Sequence, residues 1–153
     1  MGYILIEQLL DLTNYATDSR VARRKTGKKT NEFFTPYSIV KRMADKIPDS
    51  DWADPTKTFL ESSFGNGQFV VYIVWNRIQH GVDWETTLKT LGGVELMNDN
   101  VKETKERVID LLDKMNITYD KETAMEIMNK NLVCADFFNW DFEHWKYIDD
   151  KKQ

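Results

Sequence analysis

The chain has 153 residues, a length that fits one domain able to bury a core without disulfides or structural metal. Its net charge of −4 argues against a protein that simply coats nucleic acid, and its single cysteine, Cys134, excludes an intrachain disulfide framework and suits a reducing compartment. The apolar start, Met1 to Ile6, runs into Glu7 and Asp11 without a basic lead, and no apolar run approaches the roughly 20 residues that span a bilayer, so the expectation is a soluble, cytoplasmic protein with no membrane partner and one domain over residues 1–153.

In chain order, Ile6, Leu9, Leu10 and Leu12 fall at near-helical spacing and predict an amphipathic helix within residues 3–16. A basic stretch follows, with Arg20, Arg23, Arg24, Lys25, Lys28 and Lys29, broken by the loop signal Thr26-Gly27. It reads either as a solvated loop or as a patch that meets phosphates. Residues 1–30 are thus an N-terminal helix and basic loop. Thr35 and Pro36 suit the cap and first turn of a helix whose apolar face is Ile39, Val40, Met43, Ala44 and Ile47, closed by Pro48. Residues 49–57 read as a polar connector.

From Thr58 the pattern becomes strand, glycine turn and helix: a strand over 58–61, a turn over 62–67, and a helix from Gln68 that buries Phe69, Val70, Ile73, Val74 and Ile78 and ends near His80-Gly81. A short helix over 84–91 precedes a strand over 92–96, followed by a helix carrying Val101, Val108, Leu111, Leu112 and Met115 inward. A third unit has a small helix over 121–129, a strand over 131–135 and the segment Asp136 to Trp140. Strands alternating with helices predict crossover units and a parallel sheet.

Ligands of an open parallel sheet bind beyond the carboxyl ends of its strands. Three predicted strands end with an acid there or just after it: Glu61, Glu95 and Asp136. Gly65 and Gly67 follow the first, where a backbone without side chains admits a ligand or takes positive φ angles. A carboxylate at the end of the second strand is placed to accept both hydroxyls of a ribose, which fits Glu95; the alternative is a charge favouring the next helix start, near Asn98 and Asp99. Asp136 suits an adenine amino group with Phe137 stacking beside it, or a simple turn cap. No Gly-x-x-x-x-Gly-Lys phosphate loop is present, which disfavours ATP or GTP chemistry of that type.

These residues also form four motifs. Phe34-Thr35-Pro36, the stretch Phe59-Leu-Glu-Ser-Ser-Phe-Gly-Asn-Gly-Gln-Phe69, Gly93-Val-Glu-Leu96 and Cys134-Ala-Asp-Phe137 resemble, in order and spacing, those of the adenine-N6 DNA methyltransferases of restriction-modification systems with an amino-terminal Phe-Thr-Pro motif. The resemblance implies a three-layer, Rossmann-like α/β methyltransferase fold with a mostly parallel sheet, shortened at the carboxyl end, and S-adenosylmethionine as cofactor. It implies that Phe34, Thr35 and Pro36 lie over the methionine part of the cofactor. Glu61, Ser63, Phe64, Gly65 and Gly67 would form the strand and glycine loop beneath it, Glu95 and Leu96 the ribose site, and Asp136 and Phe137 the adenine site. Ser62 stands where the family has proline and Phe64 where it has cysteine. The family's Asn/Asp-Pro-Pro-aromatic tetrapeptide grips a target base flipped from the duplex, and this chain contains no Pro-Pro. The resemblance therefore implies a cofactor-binding portion or subunit of such an enzyme, with DNA and a second polypeptide or second copy as partners. The alternative is a non-catalytic protein that binds the cofactor for regulation or interference; a methyltransferase acting on RNA or protein is a third reading.

The remaining candidates read as structural. His80 and His144 lack partners at metal-ligand spacing. Cys134 suits strand packing. Trp140, Phe142, Trp145 and Tyr147 either stack on bases or cover a sheet edge or meet a partner.

Overall fold

The computed structural model describes residues 2–11 and 34–148, so the basic stretch from Arg20 to Lys29 lies outside the described residues. Helix α1 (Gly2–Leu9) buries Ile6 and ends earlier than expected: Leu10, also buried, is a turn residue and Asp11 is not helical, while residues 12–16 lie outside the described residues. Helix α2 (Tyr37–Ala44) starts one position later than expected. Pro36 itself is the N-cap and makes no side-chain capping bond, since proline offers neither an N–H nor a side-chain oxygen. Its inward residues are Val40 and Ala44, whereas Ile39 and Met43 of the predicted apolar face are exposed.

The predicted connector contains a short helix, α3 (Asp49–Ala53). α2 ends at Ala44, before the expected Pro48, with Asp45 as its C-cap, and Pro48 instead starts the next helix: its carbonyl accepts from the Asp51 and Trp52 amides, and Asp49 and Asp51 place negative charge at the new helix's positive end. Trp52 is buried and stacks on Phe59 at a centroid distance of 4.8 Å.

The remaining elements follow the predicted order: β1 (Phe59–Glu61), α4 (Gln68–Gln79), α5 (Trp84–Lys89), β2 (Leu91–Glu95), α6 (Asn98–Lys114), α7 (Lys121–Asn131) and β3 (Leu132–Cys134). A 3-10 turn (Phe137–Asn139) then leads into an antiparallel hairpin of β4 (Trp140–Asp141) and β5 (Lys146–Tyr147). β1, β2 and β3 form a parallel sheet in that order, with Leu60 opposite Gly92 and Val94 opposite Val133. The fold is mixed α/β. Asp83 and Asp120 cap α5 and α7 by accepting from the Thr86 and Thr123 amides, which fixes where each helix begins.

α4 shows tertiary packing overriding local preference. Its run Phe69-Val-Val-Tyr-Ile-Val-Trp75 is rich in residues that favour strands, yet it is helical because it is enclosed on nearly every side, from Val70 to Arg77. α4 packs on α6 and α5 on α7, so both crossovers place their helices on one face of the sheet. Arg77 is fully buried within this layer. Its Nη1 donates to the Asp54 carbonyl at 2.9 Å and to the Trp52 and Asp51 carbonyls at 3.4 Å, while Nη2 donates to Thr90 Oγ1 at 3.1 Å. The guanidinium lies 4.9 Å from the Phe59 ring centroid. One cation thereby joins the end of α3 to the beginnings of β1 and β2, and its many donors are the reason arginine serves here. No helix among the described residues is long and apolar enough to cross a membrane.

Candidate functional site at the carboxyl ends of the strands

The turn after β1 is shaped by its glycines. Gly65 has φ +54° and Gly67 φ +93°, a region that side chains rarely enter, and the Gly67 amide closes the turn on the Phe64 carbonyl at 2.9 Å. The two glycines have different neighbours. A Cβ on Gly67 would lie 2.7 Å from Thr104 of α6, so this glycine allows α6 to pack against the loop; a Cβ on Gly65 would meet only the Phe34 ring, at 3.6 Å.

Glu95, at the end of β2, is buried and reaches the loop directly. Its Oε2 accepts from the Gly65 amide at 2.5 Å and its Oε1 from the Met97 amide at 3.1 Å. The Phe64 amide also donates to the Val94 carbonyl at 3.3 Å. Phe34, the glycine loop and Glu95 therefore converge on Gly65. Glu61 lies on the same sheet face as Glu95, because it pairs with Gly93 and strand side chains alternate. Burial pushes the Glu61 carboxyl above its ordinary value near 4.5, and the neighbouring Glu95 charge adds to this, against the lowering effect of the Ser63 amide, which donates to Glu61 Oε1 at 3.4 Å.

A carboxyl whose folded pKa is raised stabilises the fold fully below the unfolded pKa, and that contribution is lost as pH rises through the folded value. Glu61→Gln should therefore raise the melting temperature at pH 7, with the gain shrinking as the pH falls through the raised folded value and gone below about 4.5. Equal gains at pH 7 and pH 4 would remove Glu61 from this account.

The other predicted site residues are distributed as follows. Thr35 contributes its carbonyl, which accepts from Gln68 Nε2 at 2.7 Å. Pro36, Ser63 and Leu96 are exposed around the loop and strand ends. The Ala135 amide donates to the Glu95 carbonyl at 3.0 Å, so the end of β3 lies beside that of β2. Asp136 takes the capping role: Oδ1 accepts from the Phe138 amide at 2.9 Å. Phe137 contacts the rings of Phe138 and Phe142 rather than the glycine loop.

Of three polar residues that local pattern does not single out, Gln68 and Arg107 hold this region in place and the third, Asn66, lies buried in the loop. Buried Gln68 donates to the Leu10 and Thr35 carbonyls and accepts from Arg107 Nη2 at 2.8 Å; Arg107 also donates to the Leu9 and Asn66 carbonyls. Gln68 and Arg107 thus fasten α1 and the Phe34-Thr35 segment to the loop. Asn66 is buried between the two glycines, and its side-chain Oδ1 and Nδ2 have no hydrogen-bond partner among the described residues. A glycine-flanked residue next to a helix start was the only local hint of any of them.

One cavity of about 560 Å³ lies to the side, between α1 and the start of α2, lined by Glu7, Gln8, Leu10, Asp11, Pro36, Tyr37 and Ser38. Among the described residues no group of three or more His, Cys, Asp or Glu could hold a metal ion. No protein-family model, curated protein or solved structure matches this chain.

Proposed function

We propose that this chain binds S-adenosylmethionine as the cofactor-holding portion or subunit of an adenine-N6 DNA methyltransferase, on a Rossmann-like methyltransferase fold. The observation that carries this reading is the meeting of Phe34, the glycine loop and Glu95 at Gly65, which unites three separate sequence motifs. The residues fit the cofactor chemically. Each Glu95 oxygen accepts one backbone amide, and a carboxylate has about four acceptor sites, so capacity remains for two ribose hydroxyls. The Asn66 side chain, without a hydrogen-bond partner among the described residues, offers a further donor and acceptor in the loop. Bound here, the cofactor supplies an electrophilic methyl group, while the chain's own residues bind and orient it.

Titration calorimetry with S-adenosylmethionine and S-adenosylhomocysteine tests the reading. Saturable heat is expected with both, and no heat or thermal shift at millimolar ligand overturns it.

A second reading, a protein that binds the cofactor without transferring the methyl, is favoured by the segment after β3. Asn139 is followed by Trp140 rather than by a Pro-Pro loop, and its carbonyl accepts from the Ile148 amide at 2.8 Å, closing the hairpin. The chain alone should therefore place no tritium from labelled cofactor on unmethylated DNA. Activity that appears when a second polypeptide is added favours the subunit reading; cofactor binding that no partner converts to transfer favours the non-catalytic one. A second polypeptide or a second copy would find β1 and β3 each paired on one side only among the described residues, with Leu60 of β1 exposed.

A further inference from the structure

β2 carries two adjacent glycines, Gly92 and Gly93, where strands ordinarily gain from side chains that pack. Adjacent strand residues face opposite sides of the sheet, and here each side meets an aromatic ring. A Cβ on Gly93 would lie 2.7 Å from the Phe64 ring, which belongs to the core and to the glycine loop; a Cβ on Gly92 would lie 3.0 Å from the Trp145 indole, which comes from the hairpin. The most compliant part of β2 is therefore gripped between two rings, one of them adjoining Gly65.

Trp145 is held firmly in this position. It has φ +50°, a conformation that a bulky side chain adopts only when its surroundings impose it. Its Nε1 donates to the Lys130 carbonyl at 2.9 Å, and its ring packs edge-on with Trp140 at 5.2 Å and with Phe142 at 6.3 Å. Val94, on the Gly92 side by alternation, is buried although it lies outside the main core cluster, as expected if the hairpin forms a separate cover for that face.

We propose that Trp145 is a positioning residue: seated on Gly92, it braces β2 from behind so that Phe64 on Gly93 and Glu95 at the strand end hold the glycine loop in the shape that receives a ligand. The part of this inference that concerns ligand affinity rests on the cofactor reading. The part that concerns loop order does not. Two backbone bonds report on the brace, Phe64 N–H to Val94 O and Gly65 N–H to Glu95 Oε2.

Amide hydrogen exchange on the full chain, with calorimetry using S-adenosylhomocysteine, provides the test. In Trp145→Ala the Phe64 and Gly65 amides should exchange about tenfold faster while amides in the middle of α4, such as Val74, keep their rates, and ligand affinity should fall by about tenfold. Trp145→Phe keeps a ring over Gly92 but loses the donor to Lys130, so it should restore most of the loop protection. If the alanine variant does not fold, Trp145→Leu, which fills part of the space but leaves no ring over Gly92, decides: loop-selective acceleration supports the brace, and uniform or no acceleration overturns it. Unchanged loop exchange in a folded Trp145→Ala likewise overturns it and leaves the hairpin a simple cover. Wild-type protein that binds no S-adenosylhomocysteine, with a loop still loosened selectively by Trp145→Ala, would keep the brace and sink the cofactor reading.

Discussion

Gly67→Val is expected to unfold the protein or to lower its stability by about 2–6 kcal/mol, a large share of the roughly 5–15 kcal/mol that holds a domain together. Two separate costs combine. At φ +93° any side chain is strained, a β-branched one most of all, and such strain costs about 1–3 kcal/mol. The new Cβ would also lie 2.7 Å from both Cγ2 and Oγ1 of Thr104, a fully buried residue whose branched side chain has few other rotamers within a helix; overpacking of this kind costs about 1–3 kcal/mol. Thermal and urea melts followed by circular dichroism read the loss. Combining the substitution with Thr104→Ala separates the two costs, because it removes the clash and leaves the strain, so partial recovery is expected. Gly65→Ala should behave differently. Its φ of +54° costs about 1–2 kcal/mol, but its Cβ meets only ordinary contact with Phe34 at 3.6 Å. A folded Gly65→Ala with weakened cofactor binding would mark Gly65 as the glycine the ligand approaches. A Gly67→Val protein that melts like the wild type would mean that α6 does not pack against the loop in this way.

The contrast between these two glycines shows what the sequence could disclose. That residues 58–79 form a strand, a tight turn and a helix was legible, because a short apolar run, a Gly-x-Gly and helical spacing are local signals. Which glycine is crowded and which meets only ordinary contact was not, since the answer depends on Thr104, far along the chain. Gly92 and Gly93 were readable as part of a strand, but the reason for two glycines there lies in rings from Phe64 and Trp145. Arg77 shows the same limit: an arginine in an apolar helix gives no sign that its partners are main-chain carbonyls at the end of α3. The apolar residues of α2 were visible too, yet their spacing alone did not reveal that the core lies on the side of Val40 and Ala44 rather than Ile39 and Met43. Asp136 was open to two readings, and its bond to the Phe138 amide gives it a capping role. Glu95 was open to two readings as well, but it does more than place charge near a helix start, since one of its oxygens reaches back to the glycine loop.

Replacing Glu95 separates its two possible tasks. In Glu95→Ala the Gly65 and Met97 amides both lose their acceptor, and the loss of hydrogen bonds to a charged group in a buried setting should cost the fold about 2–3 kcal/mol. Part of that cost is offset because Glu61 no longer faces a second carboxylate. Glu95→Gln should lie between alanine and wild type, since its side-chain oxygen can still accept from one amide while its NH2 group can only oppose the other. If Glu95 also accepts the ribose hydroxyls, S-adenosylhomocysteine affinity falls by a further 1–3 kcal/mol, about 5- to 150-fold, measured on variant that remains folded at the assay temperature. Melting curves and calorimetry on the same three proteins distinguish the outcomes. A drop in stability together with a drop in affinity, the latter larger for alanine than for glutamine, assigns Glu95 both tasks. A drop in stability with affinity unchanged makes it a staple between β2 and the glycine loop, and the ribose would then have to be held by another residue.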